Sequence, residues 1–255
     1  MWHCPFSFRE RSGFMSKAEL LREIIDNSEN IVFFGGAGVS TESGIPDFRS
    51  SDGLYNQKYK YPPEQIVSHT FFKYYTEAFY EFYKEKMIFT EAKPNKAHKA
   101  LAILEEQGKL KAVITQNIDG LHQAAGSRKV YELHGSVHRN FCMKCGESYG
   151  LEKITGSEGV PLCDKCGGVV KPDVVLYEES LDQRVLEQSV NAIRRADTMI
   201  IGGTSLNVYP AAGLIHEFAG DKLILINKSA TQADNRADLV IREPIGQVFA
   251  EALGI

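Results

Sequence analysis

Four of the five cysteines stand in two Cys-x-x-Cys pairs, Cys142 with Cys145 and Cys163 with Cys166, with seventeen residues between the pairs. That spacing matches a four-thiolate zinc site, whose pairs usually lie ~15–20 residues apart. Glycine follows each pair, at Gly146 and at Gly167 and Gly168, which lets the backbone turn tightly and aim its amides back at the sulfurs. Two disulfides are the alternative use of the same residues. The N-terminus shows no export signal, so the thiols are expected to meet a reducing interior and persist. A Cys4 shell leaves no position for a water, and the zinc expected here is structural. Cys4 is left over, in the N-terminal extension.

A second set of residues could hold a nucleotide. Gly35-Gly36-Ala37-Gly38-Val39-Ser40-Thr41 follows the apolar run Ile31–Phe34. A glycine turn between a buried strand and a helix gathers free amides and a positive helix end where a pyrophosphate can rest. The G-x-G-x-x-G fingerprint fails at its third glycine, where Thr41 stands, and no second strand ending in an acid follows ~20 residues later. The turn therefore fits a nucleotide binder other than an ordinary dehydrogenase, or a tight turn without a ligand. Just beyond it Asp47, Phe48 and Arg49 crowd behind Pro46. An arginine beside a phosphate-binding turn suits the phosphates, and Phe48 suits stacking or gating. Thr115-Gln116-Asn117-Ile118-Asp119-Gly120-Leu121-His122 puts polar groups at the end of a further strand, the carboxyl edge where α/β proteins bind ligands. Glu132-Leu133-His134-Gly135, Gly202-Gly203-Thr204-Ser205-Leu206 and Asn227-Lys228 come later.

These groups need a scaffold, and the apolar pattern supplies one. Residues 17–27 place Leu20, Leu21, Ile24 and Ile25 at helical spacing, and short buried-strand runs recur at 31–34, 112–115, 198–201, 223–226 and 237–241. Helical pattern or an insertion separates each run from the next, so the fold class expected is α/β: a Rossmann-like parallel sheet domain with a smaller inserted zinc-binding ribbon and helical lobe. The domain reading is an extension at 1–14, a nucleotide-binding domain built from 15–50, 98–140 and 169–255, a cofactor-loop and helical insertion at 51–97, and a zinc module at 141–168. Residues 71–89 carry nine aromatics in nineteen positions and read as a packing face. Asn95 reads as the N-cap of a helix bearing Ala97, Ala100, Leu101 and Leu104. His122 reads as a helix residue supporting the loop before it.

Composition narrows the function. The chain of 255 residues has 29 Lys and Arg against 33 Asp and Glu, a formal charge of −4. Its densest basic runs are pairs such as Arg128-Lys129, so direct nucleic-acid binding is not expected. No apolar stretch approaches the ~20 residues of a bilayer span, and Met1–Phe14 lack the apolar region of a secretory signal. A cytoplasmic location and no membrane partner are expected.

Taken together, the motifs resemble those of the sirtuins, the family of NAD-dependent protein-lysine deacylases, in particular the bacterial and archaeal deacetylases. The resemblance runs over residues 17–255 and rests on GAGVSTESGIPDFRS (36–50), TQNIDGLH (115–122), LHG (133–135), the two Cys pairs, GTSLNVYPAA (203–212) and LIN (225–227). It implies NAD as co-substrate, structural zinc, and acetylated proteins or peptides as partners, with the ligands in a cleft between a larger and a smaller lobe. Carried over by motif, it implies that Ala37 and Thr41 belong to the pyrophosphate-side turn, Arg49 contacts phosphate, and Phe48 shields the reacting ribose. Asn117 orders the ribose, Asp119 with Ile118 recognises the nicotinamide carboxamide, and Gln116 reaches a ribose hydroxyl. Thr204, Ser205 and Asn227 become adenosine-side contacts, Ile245 flanks the adenine, and His134 is the catalytic base. The implied products are free lysine, nicotinamide and acylated ADP-ribose. A protein mono-ADP-ribosyltransferase and a non-catalytic NAD-sensing adaptor are the competing readings.

Two departures bear on the substrate. Where the family ends a strand in phenylalanine-glycine-glutamate, this chain has Tyr177-Glu178-Glu179, so a side chain replaces hydrogen beside the expected peptide. The acidic pair is expected to favour basic residues around the target lysine. Desuccinylating and demalonylating sirtuins carry Tyr-x-x-Arg near the acyl pocket, whereas this chain has Tyr83-x-x-Lys86. Lysine lacks the fork that pairs with a carboxylate, and acetyl or similar small neutral groups are expected.

Overall fold

A computed structural model describes residues 15–48, 53 and 59–255. Among the described residues the first helix, Lys17–Asn27, starts at Ser16, whose hydroxyl accepts from the Glu19 amide at 3.1 Å while the Glu19 carboxylate accepts from the Ser16 amide at 2.6 Å. This reciprocal box satisfies two amides that the helix itself leaves without partners. The face it buries is Ala18, Leu20, Leu21, Ile24 and Ile25.

The strands among the described residues, in chain order, are β1 (Ile31–Gly35), β2 (Leu110–Thr115), β3 (Val130–Glu132), β4 (Gly135–Cys142), β5 (Ser148–Tyr149), β6 (Val170–Val174), β7 (Thr198–Gly202), β8 (Lys222–Ile226) and β9 (Leu239–Ile241). Six form one parallel sheet in the order β3-β2-β1-β7-β8-β9. The order reverses between β1 and β7, the switch point where the carboxyl ends of an open α/β sheet part to admit ligands. Every residue of β1 and of β7 is buried, because helices cover both faces of a parallel sheet. Ile31 and Phe33 point to one face, against helices Lys17–Asn27, Lys96–Glu106 and Ile245–Leu253. Val32 and Phe34 point to the other, against Ile193, Ala211, Ala212 and Ile215. Each such side chain contributes about 1.5–3 kcal/mol by leaving water, which makes the sheet a rigid platform for what stands on its edge.

The remaining strands form an antiparallel sheet, β5-β4-β6, in a smaller lobe. The aromatic run at 71–89 does not make one helix. It falls into helices His69–Tyr74 and Thr76–Lys86, with Tyr75 between them at φ −133 and ψ 47. Phe71, Phe72, Phe79, Tyr80, Phe82 and Tyr83 are buried and share one core with Ile154, Val170, Cys142 and Cys163. Phe79 stacks on Tyr83 at 5.5 Å, and the Tyr80 hydroxyl donates to the Val170 carbonyl. The aromatic helices and the cysteine ribbon thus form one hydrophobic unit. β4 and β6, which the sequence partition gave largely to the larger domain, belong to this unit through their pairing from Gly135↔Val174 to Cys142↔Val170. Gly135 marks the passage between lobes. It stands at φ +73, and a Cβ there would overlap the Asp173 carbonyl. Among the described residues no helix is long and apolar enough to cross a membrane.

Candidate functional site

The chain leaving β1 does not open the α-helix expected after the glycine turn. It makes two short 3-10 turns, Ala37–Val39 and Thr41–Ser43, and ends them at Gly44 with φ +83. A left-handed residue with Pro46 two positions on stops helical propagation, so the turn offers bare backbone rather than a helix dipole. The turn packs directly on the segment after β7. The Gly38 amide donates to the Gly203 carbonyl at 2.8 Å and the Gly36 amide to the Gly202 carbonyl at 3.3 Å. A Cβ on Gly36 would stand 2.9 Å from the Thr204 Cβ, and one on Gly38 would stand 2.8 Å from the Gly203 Cα. Neither position accepts a side chain. Thr41, which breaks the glycine fingerprint, donates its hydroxyl to the Gly38 carbonyl at 3.0 Å.

The loop after β2 closes on this turn through side chains. Ser40, buried, accepts from the Asn117 amide group at 3.0 Å and donates to Asp119 Oδ2 at 2.7 Å. The Asn117 backbone donates to the Thr115 hydroxyl at 3.0 Å, and the other Asp119 oxygen accepts from the Leu121 amide at 2.9 Å. Gln116 donates to the Thr204 hydroxyl at 3.0 Å, joining the ends of β2 and β7. His134 stands between β3 and β4, with its Nδ1 3.0 Å from the Gln116 carbonyl. A carbonyl can only accept, so Nδ1 carries the proton and Nε2 keeps its lone pair. Burial pushes the imidazole pKa below its usual 6.5, although the Gln116 carbonyl pulls the other way. The ring is therefore a neutral base at pH 7.

These groups line one cavity of about 810 Å³ between the lobes, near the upper end of the ~300–1,000 Å³ usual for ligand clefts. Ala37, Phe48, Gln116, Asn117, Ile118, Asp119, His134, Thr204, Ser205 and Asn227 all face it. Two expected contacts do not. Thr41 is turned onto Gly38, and Ile245 is buried in the core with its side chain packed beneath Gly202. Arg49 lies outside the described residues. Ser40 and His138 were missed: Ser40 joins Asn117 to Asp119, and His138 Nε2 sits 3.1 Å from the Asp119 carbonyl. Ser40 lies inside the glycine motif, where its hydroxyl was the available signal, while His138 in the irregular stretch of β4 gives none. Behind the site, His122 packs its ring 4.7 Å from that of His98 and 6.1 Å from that of Phe33.

In the smaller lobe the Sγ atoms of Cys142, Cys145, Cys163 and Cys166 all lie within 4.8 Å of one another. Cys142 and Cys166 approach to 3.4 Å, and Cys145 and Cys163 to 3.6 Å. Both separations are far beyond the ~2.05 Å of a disulfide and near the roughly 3.8 Å edge of a tetrahedron with ~2.3 Å Zn–S bonds. The Lys144 and Cys145 amides point at Cys142 Sγ, and the Tyr149 hydroxyl donates to Cys163 Sγ at 3.1 Å. Such donors stabilise thiolates and fix their direction, so the donor set fits zinc.

A family model described as the Sir2 family matches residues 36–210. The chain belongs to the Sir2 family. It is 66% identical over 238 residues to an NAD-dependent protein deacetylase of Clostridium acetobutylicum, covering 92% of this chain and 97% of that protein. A solved structure of a Sir2 with a p53 peptide and NAD+ is 41% identical, with a TM-score of 0.82 over 94% of this chain and 98% of that one. A second, of a Sir2 mutant with a deacetylated p53 peptide and 3'-O-acetyl ADP-ribose, is 40% identical, with a TM-score of 0.86 over 94% and 98%. The Sir2 fold accounts for the paired lobes, and the parallel sheet with its cysteine ribbon is the expected α/β class.

Proposed function

We propose that this chain removes acetyl groups from protein lysine side chains in a reaction that consumes NAD and one water, releasing nicotinamide, free lysine and acylated ADP-ribose. The observation that carries the reading is the neutral imidazole of His134, tied at Nδ1 to the Gln116 carbonyl and sharing its cavity with Asn117 and Asp119. The names of the Clostridium relative and of the Sir2 complexes support it.

NAD, when bound, supplies a sugar carbon whose nicotinamide leaving group can be displaced by the acyl oxygen of the modified lysine. The remaining work falls to the protein. Ala37 and the glycines beside it bring backbone up to the pyrophosphate, with Arg49 as its cation, and Phe48 covers the reacting sugar. Gln116 and Asn117 orient the ribose, while Asp119 and Ile118 hold the nicotinamide side. Thr204, Ser205 and Asn227 take the adenosine side. His134, through Nε2, accepts a proton from a ribose hydroxyl. Thr41 and Ile245 act on this arrangement from outside the cavity wall, through Gly38 and Gly202. The four cysteines hold zinc, which orders the smaller lobe and takes no part in the chemistry.

Tyr83 and Lys86 both face the cavity, but the Lys86 ammonium already pairs with the Glu85 carboxylate at 2.8 Å. A cation compensated in this way gives a carboxylated acyl chain little to bind, so small neutral groups are preferred. Incubation with NAD and a panel of acyl-lysine peptides tests the reading: nicotinamide and deacetylated peptide should form in equal amounts, fastest for acetyl. ADP-ribosylated protein in place of free lysine would overturn it, and succinyl turnover faster than acetyl on matched peptides would overturn the acyl preference.

A further inference from the structure

Among the described residues only Glu178 and Leu206 place a side-chain-bearing residue at positive φ, at 75 and 57. A non-glycine residue in that region is strained and persists only where its surroundings hold it. What holds Glu178 is Thr70: both the Thr70 amide, at 2.9 Å, and its hydroxyl, at 2.6 Å, donate to Glu178 Oε2. The loop is fixed further by backbone pairing, with the His69 amide on the Tyr177 carbonyl and the Tyr177 amide on the Val67 carbonyl. Glu178 is thus an exposed side chain with a fixed direction on the rim of the cavity.

The neighbouring charges decide what that direction means. The charged side chains lining the cavity among the described residues are Asp47, Lys86, Asp119, Glu178 and Glu179. Glu179 is compensated: Oε1 meets His69 Nδ1 at 2.9 Å, and Oε2 accepts from Lys171 at 3.1 Å and from the Leu176 amide at 2.9 Å. Glu178 is held by neutral donors alone, and among the described residues its Oε1 has no hydrogen-bond partner. Hydrogen bonds from Thr70 keep its carboxyl below the usual carboxylate range, so it is ionised at pH 7. Asn207 and Tyr209, also exposed and also lining the cavity, are neutral. The acidic pair noted in the sequence therefore reduces to one available negative charge.

We propose that Glu178 is a specificity-determining residue, favouring acceptor peptides with Lys or Arg within two positions of the acetylated lysine and disfavouring those with Asp or Glu. The inference rests on the deacetylase reading above. Its test uses three acetyl-lysine peptides of one length, flanked by Lys and Arg, by Ser and Ala, or by Asp and Glu. Each is measured for kcat/KM at saturating NAD and for Kd by fluorescence anisotropy. Exposed charge pairs are weak individually, and attraction on one peptide with repulsion on the other gives an expected basic-to-acidic ratio of roughly tenfold at low salt, falling as ionic strength rises. Glu178→Gln keeps the shape and should bring both ratios close to one. Glu178→Gly, which removes the strain of positive φ and so secures folding, should do the same. Wild-type ratios near one, or ratios that survive both substitutions, would overturn the inference. Failure to deacetylate any of the three peptides would instead strike at the deacetylase reading.

Discussion

Gly38→Ala tests whether the cofactor turn is built on direct backbone contact. The added methyl would sit 2.8 Å from both the Cα and the carbonyl oxygen of Gly203, and 3.0 Å from its carbonyl carbon. Carbon atoms pack comfortably at about 3.5–4.0 Å, so the segment after β7 must retreat by about 0.7 Å or more. The Gly38 amide bond to Gly203, 2.8 Å long, would then stretch past hydrogen-bonding distance. Overpacking of this kind costs about 1–3 kcal/mol, and the lost bond adds about 1 kcal/mol. At about 2–4 °C per kcal/mol for a chain of this size, Tm should fall by roughly 4–16 °C. The same retreat carries Thr204 and Ser205 away from Gln116, and misplacement approaching 1 Å can cost on the order of 100-fold in rate, so kcat/KM for NAD should drop at least tenfold. Gly44→Ala is the control: φ is +83 but no heavy atom lies within 4 Å, so backbone strain of about 1–2 kcal/mol is expected with NAD kinetics unchanged. Thermal unfolding by circular dichroism and NAD titration of both variants decide the matter. A Gly38→Ala protein that melts with the wild type and keeps its KM for NAD refutes the close-approach account.

His134→Ala should abolish acyl transfer while NAD still binds, as read by peptide deacetylation beside NAD titration; full deacetylation would remove the assignment. Because burial lowers the His134 pKa below 6.5, the base stays deprotonated further into acid, and the acid limb of the kcat profile should fall at a midpoint below 6.5. Burial likewise pushes His122 down to about 3, with His98 beside it adding to the effect, and His98 down to about 4. The unfolded chain takes up these protons first as pH drops from 6.5 toward 4, so stability is present above that window and lost within it. His122→Phe removes two buried nitrogens without hydrogen-bond partners and should flatten the fall in urea midpoint across that window; an unchanged slope would contradict the reading. Chelating the zinc, or Cys163→Ser, should release the smaller lobe, since structural zinc is worth about 10–16 kcal/mol in small zinc domains. Loss of near-ultraviolet aromatic signal with retained far-ultraviolet signal from the larger sheet is the expected result.

The parallel sheet was legible because strands buried on both faces are continuous apolar runs, as in Ile31–Phe34 and Thr198–Ile201. β3 was not, because Val130, Tyr131 and Glu132 are all half-buried on a sheet edge and carry no apolar run. β4 hides behind an irregular register between Ser136 and Asn140, which destroys the alternation that would mark a strand. The break at Tyr75 has no glycine or proline to announce it. The site was legible where polar residues sit together at a strand end, as in Gln116-Asn117-Ile118-Asp119. His138, in the irregular stretch of β4, was not. Thr41 and Ile245 were placed by motif position, and only packing reveals that each faces a glycine instead of the cavity. The acidic pair at 178 and 179 was visible as two charges, whereas its reduction to one depends on how the loop turns Glu179 onto Lys171, eight residues earlier, and onto His69, 110 residues away.

His134 hangs at the junction itself. Gly135, next to it, begins the strand that enters the smaller lobe, and the returning chain fastens there through the Val175 amide on the His134 carbonyl at 3.0 Å. Asn117, Ser40 and the glycine turn stay with the larger sheet. The Gln116 carbonyl holds His134 Nδ1 at 3.0 Å and the Leu133 amide donates to the Thr115 carbonyl at 2.9 Å, so the proton acceptor is also fastened to the sheet edge that carries the groups orienting the sugar.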